Sequence, residues 1–465
     1  MAGLTASGIG SGLDISSLIS QLMTIEQQPL TALSTKEASY QAKLSAFGQL
    51  KSVLSTLQSA AETLTDAAKF TATKASVASD APFSATSSAS ATAGSYSVEV
   101  LALAKEQRVA TSASTEFTPG AGDLTITFGK VTGGVFAAGS EAAKTLSFAG
   151  GSLEEFRDAI NGGELGVTAS VINNGTVKQL VIKGNATGAE QAFEITGTTG
   201  LSVDPTASGV STDPVYSLAS AQDAQLDVDG IVVSRSSNTV DDVIDGVTLT
   251  LNKQDVGNAS TLTITDDRSG ATTAINAFVS AYNNLNTTIK SLTAYNATTQ
   301  TAASLNGDST ARSIQSQLRT MLGNAISGLG GAQRLSDIGV SFTSTGTLEV
   351  NSTKLSAALA DPELDVGAFF AGSGTVDGFA TLLSERIDGY IASDGMIAGR
   401  TDGINTSIKS IDSQRERLNA RLTLIEARYT AQFTALDTLI SGYTLTSDYL
   451  TQQLANLPGA ANSNN

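Results

Sequence analysis

Three adjacent acidic pairs, Glu154/Glu155, Asp241/Asp242 and Asp266/Asp267, are the residues of this chain whose types come nearest to catalytic chemistry. Two carboxyls facing each other across a cleft can divide acid and base work, as in glycoside hydrolysis. Sequence neighbours point in different directions on a helix or strand, so a cleft of that kind must be assembled from distant residues. Helix-start placement accounts for the first two pairs, where carboxylates meet the positive end of the helix dipole. Asp227, Asp229 and Gly230 have the opening spacing of a calcium loop, but its other ligands and closing Glu are missing, and a hairpin turn accounts for them. Gly8-Ile9-Gly10-Ser11-Gly12 has the glycine content of a phosphate loop without the preceding strand of a dinucleotide fold, and reads as a hinge or helix-start segment.

The chain has no Cys, His or Trp. Disulfides, thiolate or imidazole metal sites, Cys nucleophiles and a His general base are thereby excluded together, while oxygen-ligand metal binding and carboxylate chemistry stay open. The expectation is no catalytic centre, no cofactor and no metal. A net charge of -17 repels phosphate backbones and anionic lipid, so neither nucleic acid nor a membrane is an expected partner. No run of about 18 apolar residues is present, and the first base is Lys36, so neither a membrane span nor a cleavable signal peptide is expected.

At 465 residues the chain is long enough for about three domains. Tyr40, Leu44, Phe47, Leu50, Leu54, Leu57, Ala61 and Leu64 step by three or four, which predicts a long helix over 33–64, with Pro29 setting a break before it. A stronger seam runs through Ile404, Ile408, Ile411, Arg415, Leu418, Leu422, Ile425 and Tyr429. It is a heptad repeat with one polar member. The next seam residue, Phe433, makes a second consecutive step of four before Leu436, Ile440, Tyr443, Ser447, Leu450, Leu454 and Leu457. Such a stutter unwinds a left-handed supercoil, so two coiled-coil stretches should meet near 429–433. A continuous helix over 404–457 would be about 80 Å long. Gly442 and the following Thr/Ser-rich stretch predict a break near 442–447.

Residues 77–265 read as strands and turns. Tyr96, Val98 and Val100 alternate with polar residues, as do Leu124, Ile126 and Phe128, and Asp229-Gly230 and Asn174-Gly175 are two-residue hairpin signals. SLEEFRDAIN and TVDDVID each offer an N-cap with an acid three positions on, which predicts two short helices, each leading into a strand. From Ala271 onward the helical pattern returns, through Ile275, Phe278, Tyr282, Leu285, Ile289 and Leu292 and then Ile314, Leu318, Leu322 and Ile326, with a strand pair around Val340 and Leu348. The expected fold is therefore α+β and multidomain. Terminal helices pair as a coiled coil and helical bundle around two inserted small β-rich domains.

At both ends the residues resemble a known family. GIGSGLDISSLISQLMTIEQQPL, through Gly10, Ser11, Gly12, Leu13, Asp14, Leu18, Leu22, Met23, Glu26 and Pro29, is similar to the opening of the flagellar filament cap proteins. DIGVSFTSTGTLEVNSTKLSAALADPELDVGAFF resembles a strand-turn-strand-helix block of that family, and the last stretch resembles its closing helix through Tyr429, Gln432, Phe433, Leu436, Asp437, Tyr449, Leu450 and Leu454. AQLDVDGIVVSRSSNTVDDVIDGVTLTL is like a unit recurring in flagellin, hook and cap proteins.

The resemblance implies a leg segment over 1–40, a helical-domain helix over 41–76, two plate domains over 77–265 with the outer one near 118–208, the rest of the helical domain over 271–416, and a leg helix over 417–465. It implies a secreted protein at the extracellular flagellar tip that forms a homo-oligomeric ring, with flagellin and the hook-filament junction proteins as partners. Passage through the flagellar type III export apparatus, after capture of the C-terminus by an export chaperone, is implied too. The residues expected to carry assembly are Gly10, Gly12, Leu13, Asp14, Leu18 and Leu22 at one end. At the other they are Leu418, Leu422, Ile425, Tyr429, Phe433, Leu436, Ile440, Leu450 and Leu454. Three alternatives compete: another flagellar axial protein, an adhesin whose plate binds host mucin or glycans, and an acidic glycan hydrolase.

Overall fold

The computed structural model describes residues 14–207 and 209–455. Ten α-helices run along them: α1 (Ile15–Glu26), α2 (Gln28–Thr63), α3 (Ala68–Thr71), α4 (Leu153–Gly162), α5 (Ser269–Thr293), α6 (Ser309–Gly323), α7 (Ser352–Ala360), α8 (Val366–Ala371), α9 (Phe379–Ile391) and α10 (Met396–Ala455). The chain divides into two compact units. One holds both ends, 1–67 and 271–465, and the other is the insertion 68–270. An α+β multidomain fold with paired terminal helices is what the hydrophobic periodicities predict.

In the unit that holds both ends, α2 buries Phe47, Leu50, Leu54, Leu57 and Ala61 on the predicted face. It packs on α9 and α10. Phe278 of α5 meets Phe379 edge-on at 5.9 Å, and Phe379 in turn stacks on Phe369 at 5.5 Å. Phe47, Phe370, Tyr282 and Tyr390 are buried in the same unit, and truncating a buried Phe of this kind costs about 3–5 kcal/mol. The start of α10 is tied to α6 where Arg400 pairs at 3.0 Å with the buried Asp308, whose carboxylate also accepts from the Thr310 and Ala311 N–H groups as the α6 N-cap.

The inserted unit contains two apolar cores. In one, a five-stranded sheet in the order Thr73–Ser76, Ser260–Asp266, Gly94–Ala102, Ala224–Val228, Ile231–Arg235 shares Val98, Val100, Leu226 and Leu262 with Val240 and Leu249 of a three-stranded sheet. In the other, two four-stranded sheets and α4 enclose Leu124, Ile126, Phe156, Ile182 and Phe193. α4 begins with the predicted capping box: Ser152 Oγ accepts from Glu155 N–H at 3.2 Å, and Glu155 accepts from Ser152 N–H at 2.7 Å.

Three local expectations need correction. TVDDVID is not helical: Thr239–Ile244 is a strand whose Val240 and Ile244 point into the core, and its Asp242 pairs across to Arg235 at 2.8 Å. β-branched residues and a hairpin partner outweigh the N-cap signal here. Its partner strand Val247–Leu251 follows a two-residue loop, with Ile244 opposite Val247. The Asp245-Gly246 pair between them is itself a hairpin signal. Asn174-Gly175 is not a two-residue turn, because Asn173 pairs with Lys178 and leaves a four-residue loop in which Asn174 Oδ1 accepts from Val177 N–H at 2.9 Å. The break near 442–447 is absent, and α10 runs unbroken for 60 residues, about 90 Å. Thr444 and Thr446 donate to the carbonyls of Ile440 and Gly442 at 3.0 and 2.8 Å, so their hydroxyls are satisfied inside the helix and do not end it. The Asp229-Gly230 turn is as expected, with φ of 51° and 86° and Val228 opposite Ile231.

Gly246 sits at φ 71°, where a Cβ would stand 2.5 Å from the Ala91 backbone nitrogen. Gly246→Ala therefore loses about 2 kcal/mol or more, measured as a lower denaturation midpoint of the inserted unit; an unchanged midpoint contradicts the packing described.

Candidate functional site

The adjacent acids do not assemble into a catalytic pair. Glu154 is held below the usual carboxylate range by the hydrogen bond from Lys178, Glu155 by the Ser152 N–H, Asp242 by Arg235 and Asp267 by the Ser269 hydroxyl. A general acid working near neutrality needs the opposite shift. A cavity of about 820 Å³ between α6 and α9 is lined by Gln317, Met321, Phe379, Leu382 and Tyr390 among others, and Glu385 is its one carboxylate. Among the described residues no three acids come together as metal ligands, and no helix is long and apolar enough to cross a membrane.

The expected assembly residues do converge in part. Asp14 is the N-cap of α1, its Oδ1 accepting from Ser17 N–H at 2.9 Å, and that bond holds its carboxyl below the ordinary range. From there α1 lays Ile19 and Met23 against Leu418, Leu422, Ile425 and Tyr429 of α10, with Leu30 of α2 closing the cluster. Each fully buried member contributes about 1.5–3 kcal/mol, and half-buried ones less. Polar bonds fix the direction and register: Arg415 reaches Glu37 at 2.6 Å and Tyr429 Oη donates to Glu26 at 3.2 Å. Pairing of 37 with 415 and of 26 with 429 makes the helices antiparallel. Pro29 costs nothing at the start of α2, where no intrahelical N–H bond is due, and Gln27, with φ -83° and ψ -11°, joins the two helices.

Leu422 and Ile425 are buried, Leu418, Tyr429, Phe433, Ile440 and Leu22 are half-buried, and Leu18, Leu436, Leu450 and Leu454 are exposed. Gly10, Gly12 and Leu13 lie outside the described residues. The first coiled-coil stretch is thus filled as far as Tyr429. Past the stutter Phe433 and Ile440 are half-buried like Tyr429, whereas Leu439, Tyr443, Leu445 and Tyr449 are each more than half exposed. Ile19, Met23 and Leu30 were missing from the expected set, although the spacing Ile15, Ile19, Met23, Glu26, Leu30 carries the helical period that reveals them.

Arg415, the polar member of the seam, keeps its Nε buried without a partner while its Nη1 serves Glu37. Such a residue fixes register and lowers stability. Arg415→Leu should leave the midpoint of thermal unfolding unchanged or raised while loosening register, seen as exchange broadening of Met23 methyl signals. Glu37→Ala should lower the midpoint, and equal losses in both variants would refute the register role.

The profile of the flagellar hook-associated protein 2 N-terminus matches residues 11–107, and that of the flagellar hook-associated protein 2 C-terminus matches residues 221–444. The chain is 38% identical over 471 residues to the flagellar hook-associated protein 2 of Escherichia coli K12, covering 98% of this chain and 99% of that one. It is 32% identical over 482 residues to the A-type flagellar hook-associated protein 2 of Pseudomonas aeruginosa, covering 98% of each chain. The crystal structure of the flagellar cap protein FliD D1-D2-D3 domains from Escherichia coli superposes with a TM-score of 0.62 at 37% identity, covering 77% of this chain and 99% of that one. The chain therefore belongs to the flagellar hook-associated protein 2 (FliD) family, the structural caps at the extracellular tip of the bacterial flagellar filament.

Proposed function

We propose that the paired chain ends act as a leg that docks on the filament end, and that a ring of copies holds exported flagellin there for folding and insertion while preventing its loss. The observation that supports this is the unburied distal half of α10. From Phe433 to Ala455 the helix carries Leu436, Leu439, Tyr443, Leu445, Tyr449, Leu450 and Leu454, six of them at least half exposed. An apolar ribbon of that length is costly in water and is stabilised by ordering against a partner, which ties assembly to association.

In this reading the leg comprises 1–40 and 417–465, the helical domain 41–76 and 271–416, and the plate 77–265 with its outer part near 118–208. No catalytic step is involved, in keeping with acids held in caps and ion pairs. The hook-filament junction proteins are the first surface the leg would meet. The type III export apparatus and a chaperone that shields the distal ribbon would act before secretion.

Deletion of the gene should yield cells that shed monomeric flagellin into the medium and lack filaments; normal filaments in that strain would remove the proposal. Replacing Leu439, Tyr443 and Tyr449 together by Ser should leave the far-ultraviolet spectrum unchanged and the unfolding free energy within about 0.5 kcal/mol of the parent, since the residues touch little, yet reproduce much of the deletion phenotype.

A further inference from the structure

The flanks of the terminal helix pair carry opposite charges, and they do so at matching heights. A residue one position before a seam residue sits about 100° around its helix, and one position after sits as far the other way. In an antiparallel pair the same offset on both helices falls on the same side of the pair. Before the seam residues Leu418, Leu422 and Tyr429 stand Arg417, Arg421 and Arg428, and before Glu37 stands Lys36. The Arg415–Glu37 contact brings Lys36 within about a turn of Arg417. After Ile411, Arg415 and Ile425 stand Asp412, Glu416 and Glu426. The neighbouring positions of α1 and α2 on that second side, Ser20, Thr24, Thr31, Ser34 and Gln41, are uncharged.

Between residues 411 and 429 one side is therefore basic and the other acidic; Lys409 is a base on the acidic side about two turns from Glu416, and Asp14, before Ile15, is an acid on the basic side more than about three turns beyond Arg428. Among the described residues the ion pairs of α10 are Arg400–Asp308, Arg415–Glu37 and Arg415–Asp412. Arg417, Arg421, Arg428, Glu416 and Glu426 are exposed and make none. Like charges flanking one helix pair repel and weaken it in isolation, so the arrangement is stabilised when a neighbour brings the opposite sign.

A rotation about a ring axis that leaves each copy at the same height brings the basic side of one copy to the acidic side of the next. Glu416 then stands about 1.5 Å in height from Arg417, and Glu426 about 3 Å from Arg428, at the helical rise per residue. We infer that the terminal helix pairs of adjacent copies associate side by side, with Arg417, Arg421 and Arg428 of one copy against Glu416 and Glu426 of a second copy. This rests on the ring proposed above and names the surface that closes it. The contact is heterologous, so it propagates around a ring and does not stop at a dimer.

The test is a charge swap in the full-length chain, read by sedimentation velocity at low salt. Arg417→Glu/Arg421→Glu/Arg428→Glu should weaken self-association about tenfold or more, as should Glu416→Arg/Glu426→Arg, each with unchanged helicity. Mixing the two variants should restore assembly as alternating copies, and all five changes in one chain should restore it without mixing. Raising salt should weaken the parent assembly.

A monomeric parent, unchanged assembly of either single-sided variant, or folded five-fold variants that stay monomeric would each overturn the inference. Single-sided variants that assemble normally yet leave cells without filaments would place this surface against the filament instead, overturning the inference while capping stands. Normal filaments in the deletion strain would remove the capping proposal regardless of the sedimentation result.

Discussion

Met23 buried against Leu422 and Ile425 joins residues some 400 positions apart, and the unit built from the chain ends depends on that contact. Neither α1 nor the proximal part of α10 can stand alone in water: a 12-residue helix is marginal, and a long helix with a one-sided apolar stripe leaves that stripe wet. Pairing them antiparallel removes both costs and sets the register of everything upstream. Once Glu37 lies on Arg415, the stripe of α2 from Phe47 to Ala61 is committed to the bundle formed with α9 and the start of α10. The insertion 68–270 interrupts the helical unit in sequence and holds two apolar cores.

Seam chemistry also explains why this closure is exclusive. A seam made entirely of Leu and Ile could shift by a heptad with little penalty. Arg415 inside the seam has one acid opposite it at the right height, and Tyr429 has one, Glu26, at the other end. A seven-residue shift would strand Arg415 against apolar neighbours. Stability is given up at that position, with Nε left unsatisfied, and a single alignment is obtained.

How much of this was legible in the sequence follows from the range of each interaction. Period-3.6 stripes, the capping box at Ser152 and the Asp229-Gly230 turn are local signals, and they survive in the structure because tertiary packing agrees with them. Thr239–Ile244 shows the opposite case. Its cap-like Thr and acids were outweighed by Val240 and Ile244 once a hairpin partner was available, and only the Asp245-Gly246 pair announced that partner in advance. The unbroken helix through Gly442 was illegible for a different reason: threonine hydroxyls bonding back to the i−4 carbonyls make a Thr-rich stretch tolerable in a helix that is already propagating. Of the assembly set, the seam members were visible as periodicity, whereas which of them would remain exposed depends on where the facing helix ends.

That last dependence accounts for the change of character along α10. Through Arg428 the helix alternates bases and acids around a buried seam, and after it the acids Asp437 and Asp448 are the only charged residues left to Ala455. Loss of charge thus begins within one turn of Tyr429, which Glu26 at the C-terminal end of α1 contacts, and exposure grows as α10 runs on past Ile440, beyond the height of Ile15 at the start of α1. A helix that was merely solvated beyond this point would carry charge on its free faces. This one carries Leu and Tyr on them instead, and its C-terminal end has no Lys or Arg to offset the negative end of the helix dipole. Both features lower the stability of the distal half in isolation. The proximal half, its seam already filled by Met23, Ile19 and Leu30, needs no further cover for its apolar side chains.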